Sequence, residues 1–166
     1  MNKLMISAAC VGALLSTSEA MALNELVLLS ENNILNRAEV TIAGNDNRLV
    51  ISQEHTGSGG LNTITATING DLNGGPLGAS FTGPARLTGL LPGTLAQRGF
   101  GNTMTISVDG TSNLFAFAQS GSGNTLAASI SGHSNQAAVV QNGINNFAAF
   151  SQNGIGNIVS ITQNSW

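Results

Sequence analysis

The chain has 166 residues, a formal net charge of −3 and only 8% charged side chains, against roughly 25% in an ordinary globular protein. So slight a negative balance offers no basic patch, and nucleic acid is excluded as an expected partner. With 42% hydrophobic residues and 21 glycines, the chain is too aliphatic and too uncharged for disorder, and its Asn, Gln, Ser and Thr content suits stacked β-structure.

Met1-Asn2-Lys3 opens the chain, an apolar run from Leu4 to Leu15 follows, and Ala20-Met21-Ala22 forms a small-x-small site. These features predict a secretory leader over residues 1–22 rather than a membrane span. Cys10 falls inside that leader, so a mature chain from Leu23 is expected to be secreted without any disulfide. Its stability must then come from packing and backbone pairing.

Residues 23–73 carry a faint repeat. Asn36 and Asn47 are 11 apart, as are Asn62 and Asn73. Between Asn47 and Asn62 the interval is 15, with His55-Thr56-Gly57-Ser58-Gly59-Gly60 bulging the turn. Six residues after successive Asn come Ile42, Gln53 and Ile68, and Glu31 stands where the first Gln belongs.

Residues 74–90 break the pattern. Pro76 and Pro84 cannot donate to a sheet ladder, and the glycines around them favour turns. The segment reads as an insertion between rungs, either a surface loop or a degenerate extra rung around Leu77 to Phe81.

From 91 to 166 the repeat is regular. Asn102, Asn113, Asn124, Asn135, Asn146 and Asn157 recur every 11 residues, and three before each stands Gly99, Gly110, Gly121, Gly132, Gly143 or Gly154. Gln97, Gln119, Gln141 and Gln163 mark every second unit, with Val108, Ile130 and Gln152 between them, so the full period is 22. A period of this length predicts a quasi-one-dimensional stack.

Within each half-unit the side chains alternate as in a strand. Asn113, Phe115, Phe117 and Gln119 share one face, while Leu114, Ala116, Ala118 and Ser120 share the other. Gly and Asn tolerate the left-handed backbone of a tight reversal. The expected fold is all-β: a two-sheet parallel β-solenoid of about five 22-residue strand-turn-strand rungs, with one insertion. Stacking at that step aligns like side chains, so Gln53, Gln97, Gln119, Gln141, Gln152 and Gln163, with the six regular Asn, become candidates for a self-assembly ladder. The six glycines are candidate turn residues. The stretch Ile158 to Gln163 is uncharged and Pro-free, an edge that invites continuation by another copy.

Gln152-Asn153-Gly154-Ile155-Gly156-Asn157, with Gln163 beyond it, resembles the curlin repeat, Gln-x-Gly-x-Gly-Asn followed by a second Gln. Gln119 to Asn124 and Gln97 to Asn102 fit the same signature. The resemblance implies a curli amyloid fibre subunit at the cell surface, serving adhesion and biofilm matrix. It also implies partnership with other curlin subunits, export through the outer-membrane curli secretion machinery, and nucleation of a major subunit by a minor one. Val108 and Ile130 depart from the pattern, and no Gly-rich export segment precedes the repeats, which leaves major versus minor subunit open.

Reactive chemistry is not expected. His55 lies in the inserted turn and His133 at a solvated turn position, and Asp109 is the only acidic residue beyond Asp71. No metal cluster, cofactor loop or catalytic triad can be assembled from these residues. The self-assembling structural subunit therefore competes with one alternative, a monomeric secreted solenoid that binds ice or polysaccharide. Outward Thr63, Thr65, Thr67, Thr103 and Thr105 support that alternative, although the array fades into Ala127, Ala149 and Phe147.

Overall fold

The structure, a computed structural model, describes residues 12–16, 24–31 and 35–166. Its strands are β1 (Gly12–Ser16), β2 (Glu25–Glu31), β3 (Asn36–Ala43), β4 (Arg48–His55), β5 (Asn62–Asp71), β6 (Thr94–Phe100), β7 (Thr103–Thr111), β8 (Leu114–Ser122), β9 (Thr125–His133), β10 (Gln136–Ile144), β11 (Phe147–Ile155) and β12 (Ile158–Asn164). A 3-10 helix over Gly83–Thr88 lies between β5 and β6. Odd strands form one 6-stranded sheet in the order β1-β3-β5-β7-β9-β11, and even strands form the other in the order β12-β10-β8-β6-β4-β2.

Every strand pair is parallel. Each rung is one even strand, a turn and one odd strand, and the next rung lies directly upon it. The solenoid expected from the 22-residue period is the fold observed. Register follows the repeat: Phe117 lies beneath Val139, and Gln119 beneath Gln141. In the less regular half, Ile42 pairs with Ile68 and Gln53 with Gln97 despite the uneven spacing.

Most of the expected leader, including Ala20-Met21-Ala22, lies outside the described residues. Its Gly12–Ser16 stretch is β1, which pairs with Glu39 to Ala43 of β3. One expectation needs correction. The slot beneath Gln53 belongs to Ser30, and Glu31 pairs with Glu54. Asn36 comes six residues after Ser30, whereas Asn102 comes five after Gln97, so the turn after β2 is one residue longer and shifts the count.

The space between the sheets is filled by inward residues of both. Leu49, Ile51, Ile64, Ile68, Leu95, Met104, Ile106, Phe115, Phe117, Leu126 and Ile130 are fully buried. Phe117 meets Phe150 of the opposite sheet edge to face, with ring centroids 6.0 Å apart, a favoured aromatic geometry. On the outside, Arg48 pairs with Glu25 and Arg98 with Glu54, each at 3.1 Å. These surface pairs contribute little, but each sets opposite charges over one another on neighbouring even strands.

The insertion is not a rung. It folds back over the outer face of the even sheet, where Phe81 and Ala85 bury Ala116 and Ala138. Thr82 N–H donates to Gln136 Oε1 and Gln136 Nε2 to Thr82 Oγ1, both at 2.7 Å. Farther along, Ser160 Oγ donates to the Pro84 carbonyl at 3.3 Å. The segment therefore braces β8, β10 and β12 from outside. The second irregularity, the loop after β4, wraps a side chain: a Cβ at Gly59 would lie 1.8 Å from the Phe100 ring. His55 is buried at the base of that loop, its Nε2 3.4 Å from the Gly59 carbonyl.

Candidate self-assembly site

The aligned glutamines form a continuous chain of side-chain bonds. Gln53 Nε2 donates to Gln97 Oε1 at 2.9 Å, Gln97 to Gln119 at 2.8 Å, Gln119 to Gln141 at 2.9 Å and Gln141 to Gln163 at 2.8 Å. The second amide hydrogen crosses to the odd sheet. Gln97 reaches the Thr63 carbonyl, Gln119 that of Thr103, Gln141 that of Thr125 and Gln163 that of Phe147, at 2.8–3.1 Å. Because Nε2 faces a carbonyl, the amide has one permitted orientation. Donation therefore runs from β4 towards β12 along the whole column.

The asparagines make two ladders at the two turns. One holds Asn36, Asn62, Asn102, Asn124 and Asn146, and the other holds Asn24, Asn47, Asn73, Asn113, Asn135 and Asn157. Asn124 shows the pattern: its N–H and Nδ2 both donate to Asn102 Oδ1, at 3.1 and 3.0 Å, and Nδ2 also donates to the Gly143 carbonyl at 3.1 Å. Here Oδ1 is the acceptor of the following rung, so these ladders run opposite in sense to the glutamine column. Asn36, Asn47, Asn62 and Asn73 join as full members, and Gly44 and Gly70 join the turn glycines. The signal was present: each of these glycines stands three residues before an Asn of the faint repeat.

Glycine is required at the turns for two reasons. Gly99, Gly110, Gly121, Gly132, Gly143 and Gly154 have φ between 108° and 120°, a region closed to most side chains. A Cβ at Gly121 would also lie 2.0 Å from the Gly143 carbonyl oxygen of the next rung. That same Gly143 carbonyl accepts Asn124 Nδ2, so close stacking and amide pairing depend on one atom.

Gln152 does not join the glutamine column. It ends the aliphatic column of Ile42, Ile68, Val108 and Ile130 in the odd sheet. Its side chain is 4% exposed, Nε2 donates to the Gln136 carbonyl at 3.2 Å, and Oε1 is buried without a partner.

One end of the described stack is formed by β11 and β12, the other by β1 and β2; at the first end the edge is exposed. Phe147, Ile155 and Ile158 are exposed there, and Trp166 projects fully into solvent instead of covering the edge. The insertion touches the face of β12 and leaves its hydrogen-bonding edge open. Asn146 and Asn157, with no rung above them among the described residues, keep the Nδ2 bond to the carbonyl four residues back that Asn124 and Asn135 also make, but have no glycine carbonyl of a next layer to reach. Among the described residues nothing donates to their Oδ1 atoms. Asn62, Asn73, Asn102, Asn113, Asn124 and Asn135 each meet two donors at that position.

No group of three or more His, Cys, Asp or Glu side chains comes together among the described residues, and no described helix is long and apolar enough to cross a membrane. His133 is exposed at its turn.

Residues 132–164 match the family model of the Curlin associated repeat. No curated protein matches the chain. The matched residues span β10, β11 and β12, the rungs that end in the open edge.

Proposed function

We propose that this chain, which carries curlin repeats, is a structural subunit of an extracellular curli-like amyloid fibre, growing by end-on stacking of β-rungs with other curlin subunits, its own copies included. In this reading it is exported through a leader at residues 1–22 and the curli secretion machinery of the outer membrane. At the cell surface it serves adhesion and biofilm matrix. It binds no cofactor or metal and catalyses no reaction.

The observation that carries the reading is the outer rung. Its Asn146, Asn157 and Gln163 side chains and its backbone groups are arranged as in the interior rungs, yet they lack the layer that would use them. A parallel strand added about 4.7–4.8 Å above supplies that layer. The edge has neither charge nor Pro to discourage addition.

The test is the double variant Gln119→Lys and Gln141→Lys. It buries two ammonium groups in the glutamine column, where an unpaired charge is heavily penalised. Fibre growth from the variant is expected to be slowed at least tenfold, and growth at the parental rate would count against the reading.

A second reading draws on the outer face of the odd sheet. Thr41, Thr67, Ser107, Ser129 and Ser151 form an unbroken hydroxyl column there, suited to a secreted module that binds ice or polysaccharide. A dilute monomer that stays monomeric in the ultracentrifuge would favour it.

A further inference from the structure

Among the described residues, β1 left out, the stack holds a half-integral number of rungs. The even sheet then has six strands and the odd sheet five. At one end β2 and β3 begin a rung together, while at the other β12 stands half a rung beyond β11. A second copy added by translation alone would set β2 on β12. Its β3 would then face β11 across the space of a missing strand.

A half turn about the stacking axis removes that gap. The two sheets of a coil run in opposite directions, so the turn lays the second copy's β2 on β11 and its β3 on β12, both still parallel. Counting from the rung-start asparagines, Asn24 then stands over Asn146 and Ser30 over Gln152. Likewise Asn36 stands over Asn157 and Ile42 over Gln163. The inward positions agree as well: Leu26 and Leu28 continue Ala148 and Phe150, and Ala38 and Val40 continue Val159 and Ile161.

Gln152 supplies an independent argument. Within one copy it is a misfit, an amide at the end of an aliphatic column with its buried Oε1 unpaired, which costs stability. Under the half turn its column continues into the Ser30 position and then Gln53, Gln97 and Gln119 of the neighbour. Gln152 then stands one layer from that amide column, its remaining Nε2 hydrogen aimed at the Ser30 position, while Gln163 ends its own column beneath Ile42. Under translation it would point towards Ile42.

Resting on the fibre reading above, we propose that successive copies of this chain stack with a half turn between them, β11 receiving β2 and β12 receiving β3. The edge of β3 that β12 would take is the one that β1 occupies. Gly12–Ser16 must therefore leave that edge, as the expected removal of residues 1–22 would achieve.

The test is the helical symmetry of fibres formed by the chain, measured by electron cryo-microscopy. A rotation near 180° with a rise of about 26 Å per subunit is expected, and a rise of about 29 Å without the half turn would overturn the proposal. Cysteine pairs give a second measurement in a Cys10→Ser background. Leu29→Cys with Ser151→Cys should link neighbouring copies under oxidation, because the half turn sets those exposed positions opposite each other. Leu29→Cys with Thr162→Cys should not, because only translation aligns them. Fibres linked by the second pair alone, or by neither, overturn the half turn and leave the fibre reading standing. Absence of any fibre defeats the fibre reading itself, and the half turn with it.

Discussion

Gln141 Nε2 donates to Gln163 Oε1 at 2.8 Å, joining a buried residue to one half-exposed on the outermost strand. The same bond repeats inward through Gln119, Gln97 and Gln53. The ladder therefore meets the open edge in the geometry it has in the core. An incoming strand meets a β12 edge already fixed by those side-chain bonds, which lowers the ordering cost of its addition.

Breaking the column at its centre should be costly. Gln119→Leu removes the acceptor for Gln97 and the donor to Gln141 and Thr103, leaving several buried polar groups unpaired. A loss of about 2–4 kcal/mol is expected in denaturant unfolding. Gln163→Leu should cost less than half as much, since its site is only half-buried.

The turn glycines should divide by their neighbours. Gly121→Ala drives a Cβ into the Gly143 carbonyl and should lose more than 3 kcal/mol or fail to fold. Gly156, with φ at 69° and nothing within 4 Å, should accept Ala at a cost of about 1 kcal/mol. Gly154→Ala meets only Asn157 Nδ2 at 3.3 Å in a single copy. Its φ of 115° strains any Cβ, so it should lose stability, though less than Gly121→Ala, and slow elongation at least tenfold beyond that loss, because its Cβ points where the next layer must sit. Thermal unfolding and seeded growth rates separate the three.

Phe81→Ala should release the brace. Phe81 is buried against the outer face of the even sheet, so its truncation is expected to cost up to about 3–4 kcal/mol locally. The readout is limited proteolysis, with cleavage between residues 74 and 90 becoming faster while the rungs stay protected.

Gln152→Ile should separate folding from assembly. It restores the aliphatic column and removes the buried unpaired Oε1, so the single copy should gain about 1 kcal/mol. Elongation should nevertheless slow, because the amide aimed at the neighbour's Ser30 position is gone. A variant that is both less stable and slower would mean that Gln152 serves only the single copy.

Much of this was legible because the repeat writes the same residue into each layer. Asn124 over Asn102 and Gln119 over Gln97 follow from the period and the strand alternation alone. Turns of uneven length were harder to read. One extra residue between Ser30 and Asn36 was enough to misplace the first slot onto Glu31, since a one-residue slip moves every side chain to the opposite face. The brace was hidden for another reason. Phe81 packs on Ala116 and Ala138 through a tertiary contact with no periodicity, and the only trace in the chain is a pair of small outward residues under a large one. The opposed senses of the Gln and Asn ladders also exceed what spacing can say, because they depend on which backbone carbonyl each amide reaches.

The most direct measurement follows the unmodified chain as denaturant is removed, by ultracentrifugation and by fibre diffraction of what forms. Stacking by parallel in-register rungs predicts that monomer is consumed into fibres with a meridional spacing of about 4.7–4.8 Å, and that added fibre ends abolish the lag. A folded monomer that persists at equilibrium beside such seeds would contradict it.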